Sequence, residues 1–173
     1  MPKPYRLERT QRLPIPLDEC WKFFSNPQNL PVITPPWLGF EVLDSEPTAI
    51  HPGMILRYHV HPMFGRRVTW VTEITHVDEG TFFVDEQRFG PYHFWHHKHY
   101  FRPVGIGTEV RDVVDYLLPY GPLGRLAHEW SVRGKLRDIF DYRHRVLQER
   151  FDGSGQKSNS TFVTSPRRSR AHA

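Results

Sequence analysis

Between Trp37 and Pro119 apolar side chains recur at every second position, and the interruptions are too short for anything but a reversal of the chain. The pattern predicts strands near 40–43, 54–61, 66–77, 81–89, 92–102 and 108–118. Between the later ones lie only Asp78-Glu79-Gly80, Gly90-Pro91 and Pro103-Val104-Gly105-Ile106-Gly107. Parallel neighbours need crossovers of about a dozen residues or more, so these strands form an antiparallel meander.

The flanks supply the other elements. Tyr5, Leu7 and Leu13 mark a first strand that Pro14 ends. Pro16 suits a first helical turn, Asp18 and Glu19 suit a helix N-terminus, and Leu17, Cys20, Trp21 and Phe24 make one apolar stripe. That helix closes near Ser25-Asn26-Pro27, and Asn29-Leu30 adds a second short turn before Thr34-Pro35-Pro36. After Gly121-Pro122, Leu123, Leu126, Ala127, Trp130, Leu136, Ile139, Phe140, Arg143, Leu147 and Phe151 share a helical face about 45 Å long, with Gly134 as a place to bend. The expected class is α+β: a curved seven-stranded antiparallel sheet wrapped around a long C-terminal helix, with two short helices after the first strand. One helix does not fill a strongly curved sheet. The remaining space is packed with aromatics or left as a pocket.

Charge narrows the function classes. Of the net +4, residues 152–173 carry four Lys/Arg against one acid, or +3, which leaves +1 for residues 1–151. A body that close to neutral has no stripe of cations for a row of phosphates, so no specific nucleic-acid partner is expected. The Ser, Gly and Arg-rich segment 152–173 reads as a disordered basic tail after a domain spanning 1–151. No stretch reaches the roughly 18 apolar residues of a membrane span. Cys20 is alone and Met1-Pro2-Lys3-Pro4-Tyr5-Arg6 has no apolar run, which makes the cytoplasm the default compartment.

Several segments resemble a known family: Asn29-Leu30 with Thr34-Pro35-Pro36-Trp37, Gly90-Pro91-Tyr92 with Trp95-His96-His97-Lys98-His99-Tyr100-Phe101, Leu118-Pro119 with Gly121-Pro122-Leu123-Gly124, and Ile139-Phe140-Asp141-Tyr142-Arg143. Together with the element order, they are similar to the helix-grip fold of the START-like, or SRPBCC, superfamily, and within it to a bacterial cyclase/dehydrase subgroup related to polyketide cyclase-like and coenzyme Q-binding proteins. The resemblance covers nearly all of residues 4–151. It implies a cavity for a lipophilic small molecule such as a lipid, quinone or polyketide, no cofactor, and for this subgroup an epimerase-like partner protein. It names neither the ligand nor the oligomeric state, since fold alone does not select function.

Alternation sorts the candidate site residues. Leu56, Tyr58 and Val60 share one face, as do Trp70, Thr72 and Ile74, and each set is assigned inward. His93, Trp95, His97, His99 and Phe101 lie together, and Val110, Asp112, Val114, Tyr116 and Leu118 face them from the last strand. Trp130 completes the expected lining from the helix. If the last turn pairs Phe101 with Thr108, His97 opposes Asp112; a two-residue shift puts His99 there instead. An inward carboxylate is costly unless paired, so either register joins imidazole to carboxylate. The pair can serve as a general base, hold a ligand carbonyl or hydroxyl, or only satisfy itself. His97 and His99 also have metal-ligand spacing, with Asp112 or His93 as a third group, but no cysteine or Glu-rich motif supports a metal and none is expected. His59 and His61 repeat the spacing on the solvent face. Asp85-Glu86, as sequence neighbours, are poorly placed to flank one bond. Three functions remain: non-catalytic binding of a hydrophobic molecule, a cyclase or dehydratase using the His-Asp pair, and a protein-interaction module without a ligand.

Overall fold

A computed structural model describes residues 3–44, 49–61, 66–121 and 131–151. The strands are β1 (Tyr5–Leu13), β2 (Glu41–Val42), β3 (Met54–Val60), β4 (Val68–Asp78), β5 (Phe82–Phe89), β6 (Phe94–Val104) and β7 (Gly107–Leu117). Helix α1 (Leu17–Phe24) and two single turns, Pro27–Asn29 and Pro36–Leu38, separate β1 from β2, and helix α2 (Arg133–Phe151) follows β7. The sheet order is β1-β7-β6-β5-β4-β3-β2, antiparallel throughout. Every strand after β1 pairs with its neighbour in sequence, and β1 closes onto β7. Register shifts between β4 and β5, at Val71/Thr72 and Ile74/His76, supply irregularities that bend a sheet. The expected first turns of the long helix, from Leu123 on, and Trp130 with them, lie outside the described residues.

Alternation explains the two faces. Inward positions such as Leu7, Leu13, Val60, Val114 and Tyr116 are almost completely buried. Outward positions carry cross-strand ion pairs: Arg6 and Lys98 on Asp115, Arg12 and Arg102 on Glu109, Arg111 on Glu8. Apart from Lys98, the cations of these pairs are half or more in solvent, where such pairs stabilise by less than about 1 kcal/mol each, so they mark the outer face rather than hold the fold. Helix α2 buries Leu136, Phe140, Arg143 and Leu147, spaced four, three and four residues apart. It is tied to β1 by Gln11, which donates to the His144 carbonyl at 2.9 Å, and by Arg9 on Asp141 at 2.6 Å.

The last hairpin decides between the two registers that alternation leaves open. Its loop is only Gly105-Ile106, with Gly105 at φ +61, and Pro103 lies inside β6 opposite Thr108. The amide of Phe101 donates to Thr81 on the β5 side, so the nitrogen of Pro103, two residues on, points the same way, past the end of β5. A missing N–H costs nothing there. The pairing is therefore the second of the two registers, with Phe101 opposite Val110, and His99, not His97, stands across from Asp112.

The buried residues form two apolar clusters. One gathers Trp21, Phe23, Phe83 and Phe101 with Leu13, Leu56 and Leu147 around α1. The other gathers Leu7, Trp95, Val114 and Tyr116 with Val132, Leu136 and Phe140 under the start of α2. Cys20 lies in the first, fully buried, and burial, reinforced by the charges of Glu19 and Asp112, pushes its thiol up to about 12. Because thiolate is the reactive form, a maleimide at pH 8 is expected to leave the native protein unlabelled and to modify Cys20 completely in denaturant, read by intact mass. Rapid native labelling would mean that α1 opens readily.

Candidate functional site

The two apolar clusters meet at a polar group. On β6, His97 and His99 point inward two residues apart; across the β5 ladder Asp85 pairs with His97, and across the β7 ladder Asp112 pairs with His99. His97 Nε2 hydrogen-bonds Asp112 Oδ1 at 2.9 Å, and His99 Nε2 hydrogen-bonds Asp85 Oδ2 at 3.0 Å. Crossed contacts complete the set. His97 Nδ1 is 3.3 Å from Asp85 Oδ2, and His99 Nδ1 is 2.7 Å from Asp112 Oδ1 but out of line for a hydrogen bond.

Rings on both sides hold the imidazoles. His99 stacks on Phe83 at 4.1 Å, while His97 meets Trp95 and Phe140 edge to face at 6.0 and 5.8 Å. From α2, Arg143 reaches the same group, with Nη1 3.8 Å from Asp112 Oδ1 and its carbon centre 4.9 Å from the Phe140 ring. Its Nε and Nη1 are buried without a hydrogen-bond acceptor.

The electrostatics follow from this crowding. Burial opposes ionisation of Asp85, but the positive charge on His97 and hydrogen bonds from both imidazoles outweigh it and hold the carboxyl well below its usual range. Asp112 behaves alike, with hydrogen bonds from His97 and His99 overcoming burial. Burial disfavours charge on His97, yet Asp85 and Asp112 together raise its pKa. Two carboxylates thus face two imidazoles and one guanidinium inside the fold, acids and bases gathered where burial alone would exclude charge.

Two cavities open onto this group. The smaller, about 130 Å³, is lined by Leu56, Tyr58, Thr72, Phe83 and Asp85 and reaches both histidines. The larger, about 490 Å³, lies between the sheet and α2 and is lined chiefly by Trp70, Tyr92, Trp95, Leu136, Ile139 and Phe140. Leu30, Phe40, Trp70, Trp95, His97 and Arg143 border both, so the two spaces are neighbours across a shared wall. Exposed Trp37, Arg66 and Tyr120 stand at the solvent side of the larger one.

Of the residues singled out from the sequence, Leu56, Tyr58, Thr72 and His99 line the small cavity, and Trp70, Trp95 and His97 line both. Val60, Val114 and Tyr116 point inward but are packed solid, and none of them lines a cavity. Asp112 sits behind the histidines and borders a third space, about 200 Å³, in the seam between β1 and α2. His93, assigned inward, is exposed, because β6 begins only at Phe94. Two site residues were missed. Asp85 falls on the Phe83 face of β5 by simple alternation, while Glu86 turns outward to Arg88. Arg143 is a charge inside the apolar stripe of α2, the signal that it has a task there.

A curved antiparallel sheet gripping one C-terminal helix, with a cavity between them, defines a START-like ligand-binding fold. Residues 13–147 match the family described as polyketide cyclase / dehydrase and lipid transport, and the chain belongs to that family. Solved structures agree on the fold. A START superfamily protein from Mycobacterium smegmatis superposes with a TM-score of 0.62 at 13% identity, covering 85% of this chain and 97% of that one. TTHA0849 from Thermus thermophilus gives 0.60 at 20% identity, with 84% and 96% covered. A protein from Arthrobacter aurescens gives 0.63 at 12% identity, with 83% and 86% covered. No curated protein matches the sequence. Among the described residues, no helix is long and apolar enough to cross a membrane.

Proposed function

We propose that the protein binds a hydrophobic or aromatic small molecule, lipid, quinone or polyketide-like, in the larger cavity, with the ligand's polar end toward His97 and Arg143. The observation that carries this reading is the cavity of about 490 Å³ walled by aromatic and aliphatic side chains, with an under-bonded guanidinium and an imidazole at its inner end. Burying about 300 Å² of apolar ligand surface there gives roughly 7 kcal/mol before the costs of association are subtracted. Arg143 favours a carboxylate, enolate or carbonyl oxygen at the buried end, because an acceptor at that point relieves two unmet N–H groups.

A fluorescent anilinonaphthalene sulfonate tests the cavity directly. The wild-type protein is expected to bind it in the micromolar range, and Ile139→Trp, which puts an indole into the half-buried lining of α2, to weaken binding at least about tenfold, or 1.4 kcal/mol. Equal binding by the two proteins would sink the proposal. Mass spectrometry of small molecules that co-purify then identifies the class of ligand.

The cyclase or dehydratase reading is favoured by one feature: His97 borders both cavities while Asp112 holds its far nitrogen, the arrangement of an oriented general base. Incubating the co-purifying molecule with fresh protein separates the readings. An enzyme returns a cyclised or dehydrated product, and a carrier returns the molecule unchanged.

A further inference from the structure

We propose that Asp85, His97 and His99 are the ligand set of a divalent first-row transition-metal ion, with Asp112 as the shared acceptor behind both imidazoles. This departs from the metal-free expectation drawn from the sequence, and it changes the third ligand: Asp85 takes the place considered for Asp112 or His93. It does not depend on the cavity holding a lipophilic molecule.

The first support is geometric. One nitrogen from each histidine and one oxygen of Asp85 all lie within 4.8 Å of one another. For metal–ligand bonds of about 2.1 Å, donor atoms sit about 3.0 Å apart along an octahedral edge and about 3.4 Å apart along a tetrahedral one. Asp85 Oδ2 is 3.0 Å from His99 Nε2 and 3.3 Å from His97 Nδ1. The three groups are set on two paired strands, His97 directly across from Asp85 and His99 two residues further on, so the backbone ladder fixes their spacing.

The second support is what lies behind the ligands. A metal-bound imidazole donates its other N–H to a carboxylate or carbonyl, which fixes its tautomer and orientation. Here the far nitrogens, His97 Nε2 and His99 Nδ1, lie 2.9 and 2.7 Å from the same oxygen, Oδ1 of Asp112. His99 Nδ1 is buried and lacks a proper hydrogen bond as the rings stand. With the metal taking Nε2, Nδ1 keeps its proton and a small ring tilt aims it at Asp112. A plain buried salt bridge has no need to bring two imidazoles to one carboxylate oxygen on one side and a second carboxylate on the other.

The third support is an open side. The small cavity of about 130 Å³ touches all three ligands, leaving room for water or a ligand oxygen, and apolar Phe83, Leu56 and Ile74 surround it. Two nitrogens and one carboxylate suit zinc, iron(II) or cobalt(II) rather than calcium or magnesium, which take oxygen. Two carboxylates offset the charge of the ion, and Arg143 beside them favours an anionic ligand group.

The test uses the full chain stripped with a chelator and then titrated with Co²⁺ alone. The expected result is one Co²⁺ per chain by elemental analysis, with visible absorption of low-symmetry cobalt and a rise in Tm that grows with metal concentration. Asp85→Asn and His97→Gln are expected to weaken uptake at least about 100-fold, and Asp112→Asn, acting through the histidines, by about 10–100-fold. His59→Ala, on the outer face with comparable spacing to His61, is expected to bind as wild type. Absence of Co²⁺ uptake by the wild-type protein overturns the proposal whether or not the variants fold. Unchanged uptake by Asp85→Asn and His97→Gln overturns it as well. Dye binding to the larger cavity, measured on the same samples, reports separately on the proposed lipophilic site.

Discussion

Asp112→Ala is expected to lower the stability of the fold by about 3–5 kcal/mol, the largest loss from any single polar side chain here. Asp112 is 6% exposed, accepts from His97, touches His99 and lies 3.8 Å from Arg143. Removing it leaves Arg143 and the two imidazoles with only Asp85 as an acidic partner in a buried space. Asp112→Asn keeps the shape and one acceptor while losing the charge, so its cost should be nearer 1–3 kcal/mol. Urea unfolding followed by tryptophan fluorescence measures both, read from the midpoint at unchanged slope. If alanine cost less than the asparagine variant, the carboxylate would be a strained liability rather than the keystone of the polar group. A double variant with Arg143→Met separates the charge term. Its cost should fall well short of the sum of the two single costs, because the guanidinium that Asp112 leaves behind is then gone.

Much of the architecture was legible because a half-buried sheet writes itself into the chain with period two. Leu56, Tyr58 and Val60 turn inward and Arg57 outward, as alternation requires. Strand ends were less legible, since the physics that sets them lies in the partner. Pro103 reads as a strand breaker in isolation, yet it is admitted to β6 because β5 stops short beside it. Whether Pro103 belongs to the turn or to the strand decides between the two registers open to the sequence, and with it which histidine lies across from Asp112. Asp85 was hidden for a different reason. It was judged as a neighbour of Glu86, whereas in a strand neighbours face opposite ways and the meaningful partners, His97 and His99, are 12 and 14 residues away. Arg143 shows the converse: its position on the apolar stripe of α2 was plain, but its role needed the carboxylate that the sheet brings to it.

Trp21→Ala is expected to cost about 3–5 kcal/mol and to leave dye binding by the folded protein within about twofold of wild type. The two parts of that expectation rest on the division of the interior. Trp21, on α1, is 8% exposed and meets Phe83 at 5.9 Å and Phe101 at 5.3 Å, both rings edge to face. It fills the end of the grip that α1 plugs, and it borders neither cavity. Truncation there removes a large apolar surface and leaves a hole that Phe24 and Phe101, already packed on each other at 5.3 Å, cannot close without breaking their own contact. The walls of the larger cavity belong mainly to the other cluster, around Trp95 and Phe140, and Trp70 is the side chain common to both. If the clusters are separate in this way, stability falls while affinity holds. A variant that instead lost dye binding in step with stability, under conditions where circular dichroism shows it folded, would mean that the plug and the cavity form one cooperative unit, and that the empty space depends on the full end as much as on its own walls.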